Sequence, residues 1–329
     1  MDKEEVSKDA GEVSEESKEV SSATSPAQEF YEEATSKLKK MGYHIFKDEE
    51  DGMTKFRQTD ENKKFKFINQ KHYDLLGDIL CDWIQGYMMT HQKMNKVMIP
   101  FDSELKEGCA QAPIFISDDW ETNTERALVL IQGTGDVRSG YWARSVCMND
   151  NLDLGSMIPD IDFAQENGFS VLVVNPNYSY TPDKVRVDPK IRGMNYHSNY
   201  CWAKFVEKGV CPAKEIFIVA HSAGGGCAHE IIVNNESTMI ERVRAIALTD
   251  ACHGRFYTDL GDEGKEWAKE SCIAYDASKE PLDTPLTNRY FKSIFPEVSA
   301  GHNKHVYTTG CARESYLKWF YNRSKTLAE

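Results

Sequence analysis

Long apolar runs are missing from this chain, as are closely paired cysteines and any surplus of basic charge. No stretch approaches the roughly 20 apolar residues of a membrane-spanning helix, so no membrane span is predicted. Nine cysteines stand at 81, 109, 147, 201, 211, 227, 252, 272 and 311 without a Cys-x-x-Cys pair. An odd, scattered set suits reduced thiols rather than a disulfide framework or a thiolate metal site. Neither a metal nor a cofactor is demanded by any histidine or cysteine spacing. Acidic residues number 52 against 39 basic ones, a formal net charge of −13. That balance argues against a sequence-independent grip on phosphate backbones, and no Arg–aromatic motif points to direct nucleic-acid binding. The opening "MDKEEVSKDAGEVSEESKEV" is acidic where a secretory leader would be basic and then apolar. A chain of the cytoplasm or nucleus is expected.

What is present divides into three parts. Residues 1–27, rich in Glu, Lys and Ser, are expected to form a disordered acidic tail. Residues 28–100 are expected to pack on the core as an extension. Within it "GYHIFKDEEDGMTKFRQ" alternates around a DEEDG turn and predicts a hairpin. A helix follows, with Tyr73, Leu76, Leu80, Trp83 and Tyr87 on one apolar stripe. From about residue 94, apolar runs recur at "KVMIP", "APIFIS", "RALVLIQ", "FSVLVVNPN", "EIFIVAH", "VRAIALTD" and "SCIAY". Continuous Val/Ile/Leu runs suit strands covered on both faces. Helical segments at 158–167, 197–208, 223–235 and 263–270 separate them, and "CARESYLKWFYNRSK" closes the chain. The fold class is therefore α/β, a mostly parallel sheet with helices on both faces, over 101–329.

The most informative stretch is "EIFIVAHSAGGGCAHEII". A strand passes through Ser222 directly into a helix, with Ala220 and Gly224 two residues to either side. A nucleophile elbow, Gly-x-Ser-x-Gly, needs small residues at those positions because strand and helix backbones pass close together. Alanine adds one methyl to that pattern. The turn lifts the serine above the carboxyl edge of the sheet, and the helix start aims the N–H of Ala223 at the same spot. A second oxyanion donor is expected from "QGTG" after an earlier strand, at Thr134 or Gly135. A dinucleotide loop there would need a third glycine where Arg138 stands.

A general base should follow the last strand. His305 in "SAGHNKH" is preferred over His302, and chain order Ser…acid…His raises it above a structural histidine. His253 reads as a loop residue, and His221 as pointing away from Ser222. Asp250, at the tip of "VRAIALTD", is the first choice for the acid, with Glu280 and Asp283 in the next loop as rivals.

"LVLIQGTGDVRSGYWARSVCMNDNLDLGSMIP", "VLVVNPN", "FIVAHSAGG", "AIALTDACH" and "EPLDT…VSAGHNKH" occur in this order. Together they resemble the Arb-two (argonaute-binding protein two) domain, and most of all its animal branch, the FAM-172 cotranscriptional regulators. The likeness spans roughly residues 28 to 325. Gln132-Gly133 stands where relatives have His-Gly, so no role of that histidine transfers. The resemblance implies an α/β-hydrolase fold with the family's nucleophile position at Ser222. It also implies a regulatory scaffold in argonaute-linked, chromatin-linked or splicing-linked complexes, with gene silencing among its outcomes. The alternative is an active serine esterase, thioesterase or amidase using Ser222 and His305.

Overall fold

The computed structural model describes residues 24–207, 209–253, 259–287 and 293–324. Its first element is a helix that apolar periodicity did not announce, α1 (Pro26–Lys40). Ser25 caps it by accepting from the N–H of Gln28, and Pro26 fits the first turn, where no N–H is needed. Residues 26 and 27, expected in the tail, are thus helical; residues 1–23 lie outside the described part. The expected hairpin follows as β1 (Tyr43–Lys47) and β2 (Thr54–Gln58), antiparallel around the DEEDG turn. Next comes α2 (Gln70–Thr90), whose predicted stripe is buried at Leu76, Leu80 and Trp83. Tyr73 and Tyr87 pack partly buried against the same core.

The eight-stranded sheet contains β3 (Met94–Ile99), β4 (Ala112–Ser117), β5 (Arg126–Ile131), β6 (Phe169–Val173), β7 (Glu215–His221), β8 (Val243–Thr249), β9 (Cys272–Asp276) and β10 (Glu297–Ser299). Their spatial order is β10-β9-β8-β7-β5-β6-β4-β3. The six strands from β10 to β6 run parallel, while β3 and β4 form an antiparallel edge. Seven of the eight match predicted runs; β10, with three residues, is too short to leave a periodic signal. The boundary expected at residue 100 falls between β3 and β4, which pair over six residues each.

Helices cover both faces: α3 (Arg144–Asn149), α4 (Leu152–Gly155), α5 (Ile158–Glu166), α6 (Met194–Cys201), α7 (Gly224–Asn234), α8 (Glu236–Arg242), α9 (Asp262–Ser271) and α10 (Thr308–Arg323). One core layer holds Phe169, Phe217 and Phe320, and the other holds Trp202, Ile218 and Ile231. β7 lies between β5 and β8 with all seven residues buried, which explains its unbroken apolar run. From β5 the chain adds β6 on one side and then crosses back to place β7 on the other. In an open α/β sheet that reversal leaves a crevice at the carboxyl ends of the two strands. β5 and β7 end there, followed by the 132–139 loop and by Ser222.

Candidate active site

β7 turns into α7 through Ser222, whose φ of 55° puts an L-residue in the left-handed region. Such a backbone costs on the order of 1–2 kcal/mol, so neighbouring packing must hold it. The glycines beside it show how. A Cβ on Gly133 would lie 2.7 Å from the Ser222 Cβ, and one on Gly224 would lie 2.6 Å from the carbonyl oxygen of Ile131. The 132–135 loop and the start of α7 are therefore in direct backbone contact around the serine. Two further bonds fix the turn: Ser222 N–H donates to Thr249 O at 3.1 Å, and Cys252 N–H donates to Ser222 O at 2.9 Å.

Asp250 follows β8, also with a positive φ, 42°. Its Oδ2 lies 2.6 Å from His305 Nδ1, and its Oδ1 accepts from the N–H of Ala277 at 3.2 Å. Burial pushes the carboxyl up, but the bonds from His305 and Ala277 outweigh it and hold the group below the usual range. Asp250 is thus a carboxylate that keeps the Nδ1–H tautomer of His305 and turns Nε2 outward. Of its rivals, Asp283 Oδ1 accepts from Ser315 on α10 at 2.6 Å, and Glu280 is exposed. His302 stacks on Tyr307, with 4.3 Å between ring centroids.

Ser222, His305 and Thr134 line one cavity of about 190 Å³, walled by Tyr73, Val137, Trp142 and Arg144. Among the described residues, the backbone N–H groups of Thr134 and Ala223 have no hydrogen-bond partner.

Arg144 went unrecognised in the sequence, and His221 was read there only as pointing away from Ser222. His221 lines this same cavity. Its Nδ1 is 2.9 Å from Thr249 O, and its ring lies 4.7 Å from that of His305. Burial and then the neighbouring His305 depress its pKa to about 4, so it is a neutral neighbour of His305. Arg144, at the start of α3, pairs with Asp74 at 3.1 Å and Asp136 at 2.9 Å and lies over the Tyr73 ring at 4.4 Å. Gly77 on α2 leaves it room, since a Cβ there would be 2.5 Å from Arg144 Cδ. Neither contact had a local sequence signal.

Away from the cavity, His253, Asp276 and Glu297 bring ligand-type atoms within 4.8 Å of one another. His253 Nδ1 faces Ala251 O at 2.7 Å and Nε2 faces Glu297 at 3.0 Å. The three are the one group of three or more potential metal ligands lying this close together among the described residues.

A mostly parallel sheet flanked by helices, with a serine at the turn after a central strand, defines a protein of the α/β-hydrolase-like fold class. The sequence profile of the Arb2 domain matches residues 34–282, and the chain belongs to that family. The match takes in the hairpin, α2, Ser222 and Asp250 and ends before His305. The cotranscriptional regulator ARB2A homolog of Gallus gallus is 31% identical over 302 residues, covering 77% of this chain and 71% of that protein. The Homo sapiens cotranscriptional regulator ARB2A is 31% identical over 307 residues, covering 78% and 72% respectively. The Dictyostelium discoideum homolog is 31% identical and covers 88% and 80%. A solved structure described as a histone deacetylase from Saccharomyces cerevisiae aligns with a TM-score of 0.50 at 11% identity, over 77% of this chain and all of that one. At that identity the likeness speaks for the fold alone.

Proposed function

We propose that Ser222 is a working nucleophile and that this regulator-family chain hydrolyses an ester, thioester or amide. The observation that carries this reading is the 2.6 Å contact between His305 Nδ1 and Asp250, on the cavity that also holds Ser222. In this mechanism His305 Nε2 removes the Ser222 proton as Oγ attacks the acyl carbon. The N–H groups of Ala223 and Thr134 receive the oxyanion. His305 then returns the proton to the leaving group, and water cleaves the acyl-enzyme by the same steps in reverse roles.

A second reading is favoured by two observations. No hydrogen bond joins Ser222 to His305 in the resting site, and the relatives are named as cotranscriptional regulators. In this reading the fold is a nuclear regulatory scaffold for chromatin-, splicing- or argonaute-associated proteins, and the serine is inherited architecture. Long serine–histidine separations are common in unliganded hydrolases, which is why the first reading leads.

Fluorophosphonate labelling separates the two. Wild type should label, Ser222→Ala should not, and His305→Ala should lose labelling with its fold intact by circular dichroism. A folded wild type that never labels would leave the scaffold reading standing alone.

A further inference from the structure

A cavity much larger than the one at the serine lies elsewhere on the described residues. A cleft of about 1300 Å³ runs between α1, α2 and the 175–184 segment, with Gly135 and Arg138 at its near end. Its volume exceeds the roughly 300–1,000 Å³ typical of small-molecule pockets. Five cationic side chains line it: Lys37 and Lys40 from α1, Lys96 from β3, Arg138, and Lys184. Two carboxyls, Asp78 and Asp82, face them from α2. The surrounding chain has the opposite balance, with 52 acidic and 39 basic residues.

These cations are also largely unneutralised. Lys37 pairs with Glu33 at 2.9 Å, but Lys40, Lys96, Arg138 and Lys184 have no ion-pair partner among the described residues. Two of them lie over aromatic rings instead, Lys96 over Phe30 at 5.5 Å and Arg138 over Tyr178 at 5.6 Å. A folded acidic protein would ordinarily gain by pairing such charges internally. Holding them open around a concave wall that also carries Tyr178 and Tyr180 is a recognition surface for negative charge with apolar interruptions.

We infer that this cleft binds an acidic, carboxylate-rich peptide segment of a partner protein, with an aromatic or apolar residue seated against Phe30 or Tyr180. The cations come from separate segments, α1, β3, the loop after β5 and the Lys184 segment, so an extended chain can meet more than one of them. The amide N–H groups of Gln85 and Asn177 are donated to Ser139 and to Gly135 and Val137, which leaves their side-chain oxygens to accept from its backbone N–H groups. A nucleic acid is the poorer fit, because its phosphates would continue onto a surface of net negative charge. The occupancy of this cleft does not depend on whether Ser222 reacts.

The test is fluorescence anisotropy with a fluorescein-labelled peptide of eight glutamates around one phenylalanine. Wild type and Ser222→Ala should bind it saturably and alike. The pair Lys96→Glu with Lys184→Glu, both exposed positions, should weaken binding by about tenfold or more. Lys318→Glu, an exposed reversal outside the cleft, should leave it unchanged. Absence of saturation, equal loss from Lys318→Glu, or displacement by oligouridylate at lower concentration than by unlabelled peptide would overturn the assignment.

Discussion

At Ser222 the chain holds a conformation that its own side chain disfavours, and the contacts that enforce it are testable one atom at a time. Gly133→Ala would place a methyl 2.7 Å from the Ser222 Cβ. Something must shift, either the 132–135 loop or the serine turn that Thr249 and Cys252 hold. We expect a loss of about 1–3 kcal/mol in stability and a larger proportional loss of fluorophosphonate labelling, read by thermal melting and by labelling rate on the same sample. Loss of stability with labelling intact would show that the loop, not the turn, gives way. Asp250→Asn asks a different question, since it preserves shape but no longer selects the Nδ1–H tautomer of His305. Labelling should fall by about 10³–10⁴ with little change in melting temperature. A serine motif could be recognised from sequence because its demand for small neighbours is local. The choice of Asp250 over Glu280 and Asp283 was not decidable there, since it rests on which carboxyl meets a histidine 55 positions away. Arg144, and the place of His221 on the cavity, were missed for the same reason, as their partners come from α2 and from the loop before α10.

Elements were legible in proportion to the regularity of their burial. β7 and β6 are buried along their whole length and read as unbroken apolar runs, while α2 read as a stripe because one face is covered. α1 did not, since only Ala34 and Leu38 are fully buried in fifteen residues; its signal was the Ser25–Pro26 cap. α2 also carries a prediction. Asp82 on α2 has its folded-state pKa raised to about 6, through burial opposed by Lys37 and Lys96, with Asp78 and Glu33 adding to the rise. The folded protein then binds more protons than the unfolded chain between about pH 4 and 6, so this group lowers stability as pH rises through that window. His221, depressed to about 4 by burial and His305, acts with the opposite sign. It remains neutral while the unfolded chain gains a proton, so its contribution is full above about pH 6.5 and is lost as pH falls toward 4. Urea titrations at pH 4.5, 5.5 and 7 should therefore diverge in the variants. Asp82→Asn should gain on wild type as pH rises, by about 1–3 kcal/mol in total. His221→Gln should lose the acid-side decline. Parallel curves for wild type and both variants would remove both assignments.

On the scale of the whole molecule, the question is whether the extension of residues 28–100 is a separable part. Its hairpin forms its own two-stranded sheet, which invites that view. Three features oppose it. β3 supplies the edge of the main sheet, and its loss would bare the outer edge of β4, an invitation to intermolecular pairing. Leu76, Leu80, Ile84 and Met88 of α2 are fully covered and share one core with Phe169 and Phe217. Tyr73 and Gly77 form the wall and the seat for Arg144 beside Ser222. A chain beginning at residue 101 would lack these side chains and bare the apolar surface they cover on the Phe169–Phe217 core, at about 1.5–3 kcal/mol for each large side chain exposed, a cost comparable with the whole stability margin of a typical domain. Such a truncation is expected to be insoluble, or soluble only as aggregates by size-exclusion chromatography. A chain beginning at residue 24 should melt cooperatively near the full-length temperature. A monomeric, cooperatively melting 101–329 fragment would establish instead that the sheet closes without β3, and that the cavity wall is added to a finished domain.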